Sequence, residues 1–182
     1  MTDLTNESPS TEPSRESSRT STSQRSYSQQ VEAAIVAAGY QLPAPPEPVA
    51  AYVPARRCGR QLFISGQLPF TAGQLLAKGL VDSQVDDQLA TEAARQCTLN
   101  ALAIVRRELD GRWERLAGVV RVGCFVASDP TFTQHSMIAN GASELLVAIL
   151  GERGRHARAA VGVAALPLGA AVEVEYLFEV TD

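Results

Sequence analysis

The chain is short of basic charge, cysteine, histidine and long apolar runs, and each shortage removes a class of function. Sixteen basic against twenty acidic side chains leave a net charge of −4, so no global field draws the protein to phosphates or to an anionic membrane. Nucleic acid is not expected as a partner. No run of about 18 apolar residues is present to span a bilayer, and the N-terminus has neither the basic start nor the apolar stretch of a signal peptide. A cytoplasmic protein without membrane contact is the expectation. The three cysteines, Cys58, Cys97 and Cys124, are scattered and odd in number, which suits reduced thiols better than a disulfide framework or a zinc knuckle. The two histidines, His135 and His156, have no cysteine or carboxylate cluster at ligand spacing, so no metal site is expected. The Gly-Glu-Arg-Gly-Arg-His segment ending at His156 reads as a solvated turn, and the Arg106-Arg107 and Arg153-Arg155 clusters as helix-end and loop charges. Gly66, Gly162 and Gly169 lead into no helix with a lysine and form no phosphate loop.

What is present is enough apolar material for one core: 182 residues at 45% hydrophobic content argue for one domain and leave two cramped. Residues 1–30 are Ser, Thr, Glu, Arg and Pro with almost no branched apolar side chains, so they cannot offset the entropy of ordering and are expected to be a disordered tail. Residues 31–48 follow as a short helix, with Val31, Ala34, Ile35 and Ala38 in period and Gly39 as its stop, and then a connector stiffened by Pro43, Pro45, Pro46 and Pro48. The folded domain is expected to begin near Val49 and to occupy residues 49–182.

Within it, Tyr52-Val53 and Gln61 to Ser65 read as two strands around a turn at Cys58-Gly59-Arg60, and Thr71-Ala72-Gly73 as a further turn. Between Val85 and Leu109, the residues Ala90, Ala93, Ala94, Cys97, Ala101, Ile104 and Val105 recur at helical steps, a small-residue stripe suited to close packing on a sheet. Val119 to Ala127 is a buried strand. Ser128-Asp129-Pro130 predicts a second helix, with Asp129 as its cap and Pro130 at its first position, running to Leu150 before Gly151. Ala159 to Ala165 and Ala171 to Val180 are closing strands joined across Leu166 to Ala170. The order β-β-α-β-α-β-β predicts an α/β (α+β) layer, two long helices on one face of a mixed sheet. Because the strands are apolar at both parities, partner subunits are expected to cover the other face.

Two segments carry a family resemblance. Tyr52 through Gln67, ending Leu62-Phe63-Ile64-Ser65-Gly66-Gln67-Leu68-Pro69, and the closing run Ala157-Arg158-Ala159-Ala160-Val161, Leu166-Pro167 and Val172-Glu173-Val174-Glu175 resemble the opening and closing signatures of the Rid (YjgF, endoribonuclease L-PSP-like) family. The resemblance spans roughly Val49 to Val180. It implies a chorismate-mutase-like subunit, a homotrimer with ligand clefts between subunits, and an enzyme similar to those that hydrolyse 2-aminoacrylate or 2-iminobutanoate to 2-keto acid and ammonia. On the matching positions the resemblance implies that Arg158 holds the substrate carboxylate, Glu173 orients water, Tyr52 lines the pocket and Ser65 and Gly66 supply backbone near the ligand, and it matches Asn140 to an asparagine on the second helix, here one residue further from Arg158 than in the family. Ala160 stands where many members carry a reactive cysteine. With the long tail and the Leu-Gly-Ala-Ala connector, these departures mark a divergent subgroup.

Each residue also has a plainer reading. Arg158 could be a strand-end arginine in solvent, although a guanidinium suits a planar carboxylate. Glu173 and Glu175 share a strand face, and either could be merely solvated or an interface ion-pair partner. Tyr52 could only pack; Asn140, a poor helix former, faces solvent, bonds back to its helix or reaches a site. If the last two strands form a hairpin, Arg158 lies near Glu179 and Glu173 at the turn end, roughly 20 Å away, so a shared site needs two subunits. The expected reaction is hydrolytic deamination of a small enamine or imine acid without a cofactor, since a protonated imine is already electrophilic. The alternative is a binding or regulatory protein that holds a small carboxylate metabolite without turnover.

Overall fold

Apolar stripes on two long helices are buried against one face of a five-stranded sheet. The computed structural model describes Met1 and residues 25–45 and 51–182. Among these, the elements run α1 (Tyr27–Ala37), β1 (Ala55–Cys58), β2 (Gln61–Gln67), the short pair β3 (Phe70–Thr71) and β4 (Gln74–Leu75), α2 (Asp87–Glu108), β5 (Leu116–Ala127), α3 (His135–Leu150), β6 (Ala157–Val163) and β7 (Val172–Val180). The sheet order is β1-β2-β7-β5-β6. All pairings are antiparallel except β5 with β6, which is parallel.

The alanine-rich stripe predicted on α2 forms as expected, and Ala90, Ala93, Ala94, Cys97, Ala101, Ile104 and Val105 are all fully buried. The helix starts where the Asp86 carboxylate accepts the Leu89 N–H at 2.8 Å, satisfying an otherwise orphan donor. Small side chains also let α3 come close. Gly141 lies so near α2 that a Cβ there would stand 2.2 Å from the Thr91 carbonyl oxygen. The helix-facing sheet residues Leu62, Ile64, Val122, Cys124, Val126, Val172, Val174, Tyr176 and Phe178 complete the core.

Three expectations about strands and helices need correction. Tyr52-Val53 is not a strand: Tyr52 lies in a bend, and pairing begins at Ala55 opposite Ile64. Ser128-Asp129-Pro130 does not start α3. Ser128 bridges Val81 and the Asp129 N–H reaches the Val81 carbonyl at 3.3 Å, which keeps this backbone extended. The helix begins at His135, with no side-chain cap at Gln134. The last two strands are not a hairpin. β6 follows β5 through α3 and therefore returns parallel to it, while β7 crosses to lie between β2 and β5. Arg158 consequently stands opposite Val122 rather than Glu179.

The predicted tail boundary also moves. Residues 2–24 lie outside the described residues, as does the expected domain start near Val49, but residues 27–30 belong to α1. That helix opens with a capping box between Ser26 and Gln29 and buries Val31 and Ile35 against the body. Glu32 ties it down by accepting from the indole Nε1 of buried Trp113 at 3.0 Å and from Arg106 at 2.8 Å. Gly39, with φ of +85°, stops it as expected.

Candidate functional site

Strand parity decides what each site residue can reach. Arg158, the second residue of edge strand β6, points to the helix face, level with Val122. Its guanidinium lies along α3: Nη1 donates to Asn140 Oδ1 at 2.9 Å and to Ser143 Oγ at 3.0 Å, and Nη2 donates to the Ser136 carbonyl at 3.3 Å. Ser136, Asn140 and Ser143 fall at i, i+4 and i+7 on one side of the helix. Asn140 therefore reaches out to Arg158 rather than only to solvent. His156, two residues before Arg158 on the loop into β6, joins the same group, with Nε2 3.0 Å from Ser143 Oγ and Nδ1 2.6 Å from the Gly154 carbonyl oxygen. The segment ending at His156 is thus tied to α3 and is not the solvated turn expected. Beneath this cluster, burial pushes the Cys124 thiol up to about 12, with Arg158 pulling weakly the other way. It is an inert neutral neighbour.

Glu173 belongs to a different surface. It alternates with the helix-facing Val172 and Val174 on central strand β7 and lies on the open face of the sheet, opposite Phe125. Its carboxylate is folded over Gly66, where a Cβ would stand 1.8 Å from Glu173 Oε1. A bulge in β2 between Ile64 and Gln67 takes Ser65 and Gly66 out of the β7 ladder, a device that re-aims backbone beside a site. Ser65 Oγ donates to the Val53 carbonyl at 2.8 Å and Ser65 N–H to that of Pro54 at 3.0 Å. These bonds hold the bend carrying Tyr52, whose ring is 51% exposed and so is not the buried packing tyrosine of the plain reading. Partial burial raises the Glu173 carboxyl above its ordinary range, and the charge of Glu175 adds to this. Glu175 itself pairs with Arg121 at 2.7 Å.

The chain therefore carries two half-sites. One gathers Arg158, Asn140, Ser143 and His156 on the helix side of the sheet edge; the other sets Glu173 against Gly66 on the open face, with Ser65 next to Gly66 bonded to the bend that carries Tyr52. Arg158 and Glu173 are two strand spacings and three residues of rise apart, about 14 Å between backbones, on opposite faces. A single subunit does not join them.

Ser143 and His156 were missed by sequence reasoning. Their signals were position: Ser143 one helical turn beyond Asn140, and His156 at the same strand parity as Arg158. A second unanticipated pair, Ser128 Oγ and His135 Nε2 at 3.1 Å, opens on a cavity of about 380 Å³ at the ends of β5 and β6, lined also by Asp129, Phe132 and Gly162. Among the described residues, no group of three or more His, Cys, Asp or Glu is placed to hold a metal.

A mixed sheet with its helices on one face, a bulged Ser-Gly strand and an Ala-Arg edge strand define a class, and residues 32–180 match the family model described as "YjgF/chorismate_mutase-like, putative endoribonuclease". The chain belongs to this family. Among its relatives, Protein TCP17 of Trypanosoma cruzi is 42% identical over 145 residues, covering 79% of this chain and 90% of that protein. The crystal structure of Atu1372 from Agrobacterium tumefaciens, a protein of unknown function, is 41% identical with a TM-score of 0.81, covering 85% of this chain and 95% of that one. A structure from Shewanella oneidensis MR-1, titled "a putative endoribonuclease", is 31% identical with a TM-score of 0.79, covering 82% and 99% of the two chains.

Proposed function

We propose that the protein is a hydrolytic deaminase of small enamine or imine acids, acting at sites shared between subunits of a homotrimer. The observation that carries this reading is the state of the Arg158 guanidinium. Three of its five N–H groups are spent on α3, which leaves the Nε–H and one Nη2 N–H without a partner among the described residues. Two adjacent N–H groups on one rigid plane match the two oxygens of a carboxylate.

With the carboxylate held there, the C=N carbon one bond away must meet a water and a group that orients it. Glu173 is suited to that role, because a half-buried carboxylate with a raised proton affinity is a better base than a solvated one. The bulged Ser65-Gly66 backbone beside it would bind the substrate plane, and the exposed Tyr52 ring would form a wall. Water adds to the protonated imine carbon as Glu173 takes its proton. The resulting carbinolamine expels ammonia and leaves the 2-keto acid. No metal or organic cofactor enters this scheme.

The open face of the sheet supports the assembly. Phe63 and Val161 are each 45% exposed on it, beside Phe125 and Leu177, an apolar surface of the kind that subunits cover. The endoribonuclease title of the Shewanella structure suggests RNA instead. A net charge of −4 and the Glu173–Glu175 pair on the open face oppose an RNA backbone.

The test is clearance of 2-iminobutanoate by wild type, Arg158→Ala and Glu173→Ala, followed by mixing. Each variant alone should lose at least about a hundredfold in kcat/KM. Co-refolding the two at equal amounts should restore about a quarter of wild-type activity, because one interface in four then pairs an intact arginine with an intact glutamate. Activity in neither the wild type nor the mixture would overturn the reading. Tight carboxylate binding without turnover would replace it with the binding-protein alternative.

A further inference from the structure

We infer that His156, acting through Ser143, is a positioning residue that fixes the Arg158 guanidinium for carboxylate capture; this rests on the reading of Arg158 given above. The Gly154 carbonyl oxygen, which can only accept, lies 2.6 Å from His156 Nδ1, so that nitrogen carries a proton, and in the uncharged ring Nε2 then presents a lone pair. Ser143 Oγ, 3.0 Å from Nε2, must then donate to the histidine. With its single proton committed, the hydroxyl offers Arg158 only lone pairs, and it accepts from Nη1 at 3.0 Å. The chain runs one way, from guanidinium to serine to imidazole to backbone.

Its far end does not drift. Gly154 is buried, and a Cβ there would stand 2.3 Å from the Leu146 carbonyl oxygen on α3. Only glycine allows the loop this close, so the carbonyl that sets the histidine tautomer is itself pressed against the helix that carries Ser143 and Asn140. Loop, helix and edge strand thus converge on one side chain. Arg158 is otherwise exposed, and a free arginine would have to surrender rotamer entropy on binding its ligand. Spending that entropy in the fold lowers the cost of capture. The effect should appear in substrate binding rather than in the chemical step.

The experiment uses the full chain and two independent measurements. The first is the nitrogen-15 spectrum of the arginine Nη groups, with Arg158 assigned by Arg158→Lys. Wild type should show two resolved Nη signals for Arg158, the mark of hindered rotation. His156→Ala and Ser143→Ala should merge them, and Ser143→Thr, which keeps the hydroxyl, should not. The second is kinetic. KM for 2-iminobutanoate should rise roughly five- to tenfold in His156→Ala and in Ser143→Ala, as expected for one lost hydrogen bond to a charged group, with kcat within about twofold. The double variant should be no worse than Ser143→Ala, because both act through one chain. The corresponding imino amide, which lacks the charge, should show no such rise. An averaged Arg158 signal in wild type, or one unchanged by His156→Ala, overturns the proposal. Failure of the deaminase reading looks different: wild type then clears no imine while the Arg158 signal still depends on His156.

Discussion

Glu173 meets two opposing demands at one position. Its carboxylate rests on Gly66, partly out of water and one strand step from the charge of Glu175, and both features favour the protonated form. If the ionised form is the base, kcat/KM falls as pH drops through the Glu173 pKa, and this acid limb should lie above the ordinary 4.5 of a glutamate. Glu175→Gln removes a negative neighbour and frees Arg121, so it should move the limb down; a pH-rate profile of the two proteins checks the direction. For stability the sign is reversed. A carboxyl whose pKa is raised by folding contributes stability that is fully present below its unfolded value and is lost as pH rises through the folded one. The same burial that would sharpen Glu173 as a base therefore costs stability near neutrality. Arg158, Glu173 and Asn140 were singled out from the chain, and the structure brings Arg158 and Asn140 together and sets Glu173 apart on the other face. His156 was not singled out, because its part depends on a tautomer set by a backbone carbonyl two residues earlier.

At the scale of elements, α1 behaves as a strap. Its first turn is pinned where the Ser28 N–H and hydroxyl both donate to the Glu114 carboxylate, which holds Glu114 down to about 2. A depressed carboxyl contributes stability that is present above the unfolded value near 4.5 and is lost as pH falls toward the folded one. Acid should therefore undock α1 between these limits, and the single tryptophan reports it, since the buried Trp113 indole donates to Glu32 on α1. A red shift of Trp113 emission over that range, absent in Glu114→Gln, is the expected result. Helices and strands with one strong period were legible at this scale: the α2 stripe is the clearest. The start of α3 was not, since Ser-Asp-Pro has the chemistry of a cap, and long-range bonds to Val81 and Val163 hold it extended.

At the scale of the whole molecule, the unanswered surface is the open face. On it Phe63 stands opposite Leu177 and Val161 opposite Phe125, two apolar pairs with the Glu175–Arg121 ion pair between them. If three chains cover that face, light scattering should give a particle of three subunits, and Phe63→Glu should give a folded monomer at micromolar concentration with imine clearance lost. A monomeric wild type would remove the shared site, because the two half-sites face opposite ways in one chain. Composition and periodicity alone determined that this is one α/β layer with two long helices on one side, since burial must follow the period of each element. The motifs alone placed the guanidinium and the carboxylate in the chain. Only the tertiary structure decided that they stand back to back, because strand order and pairing direction depend on the parallel return through α3 and on β7 crossing between β2 and β5, long-range choices that no local pattern encodes.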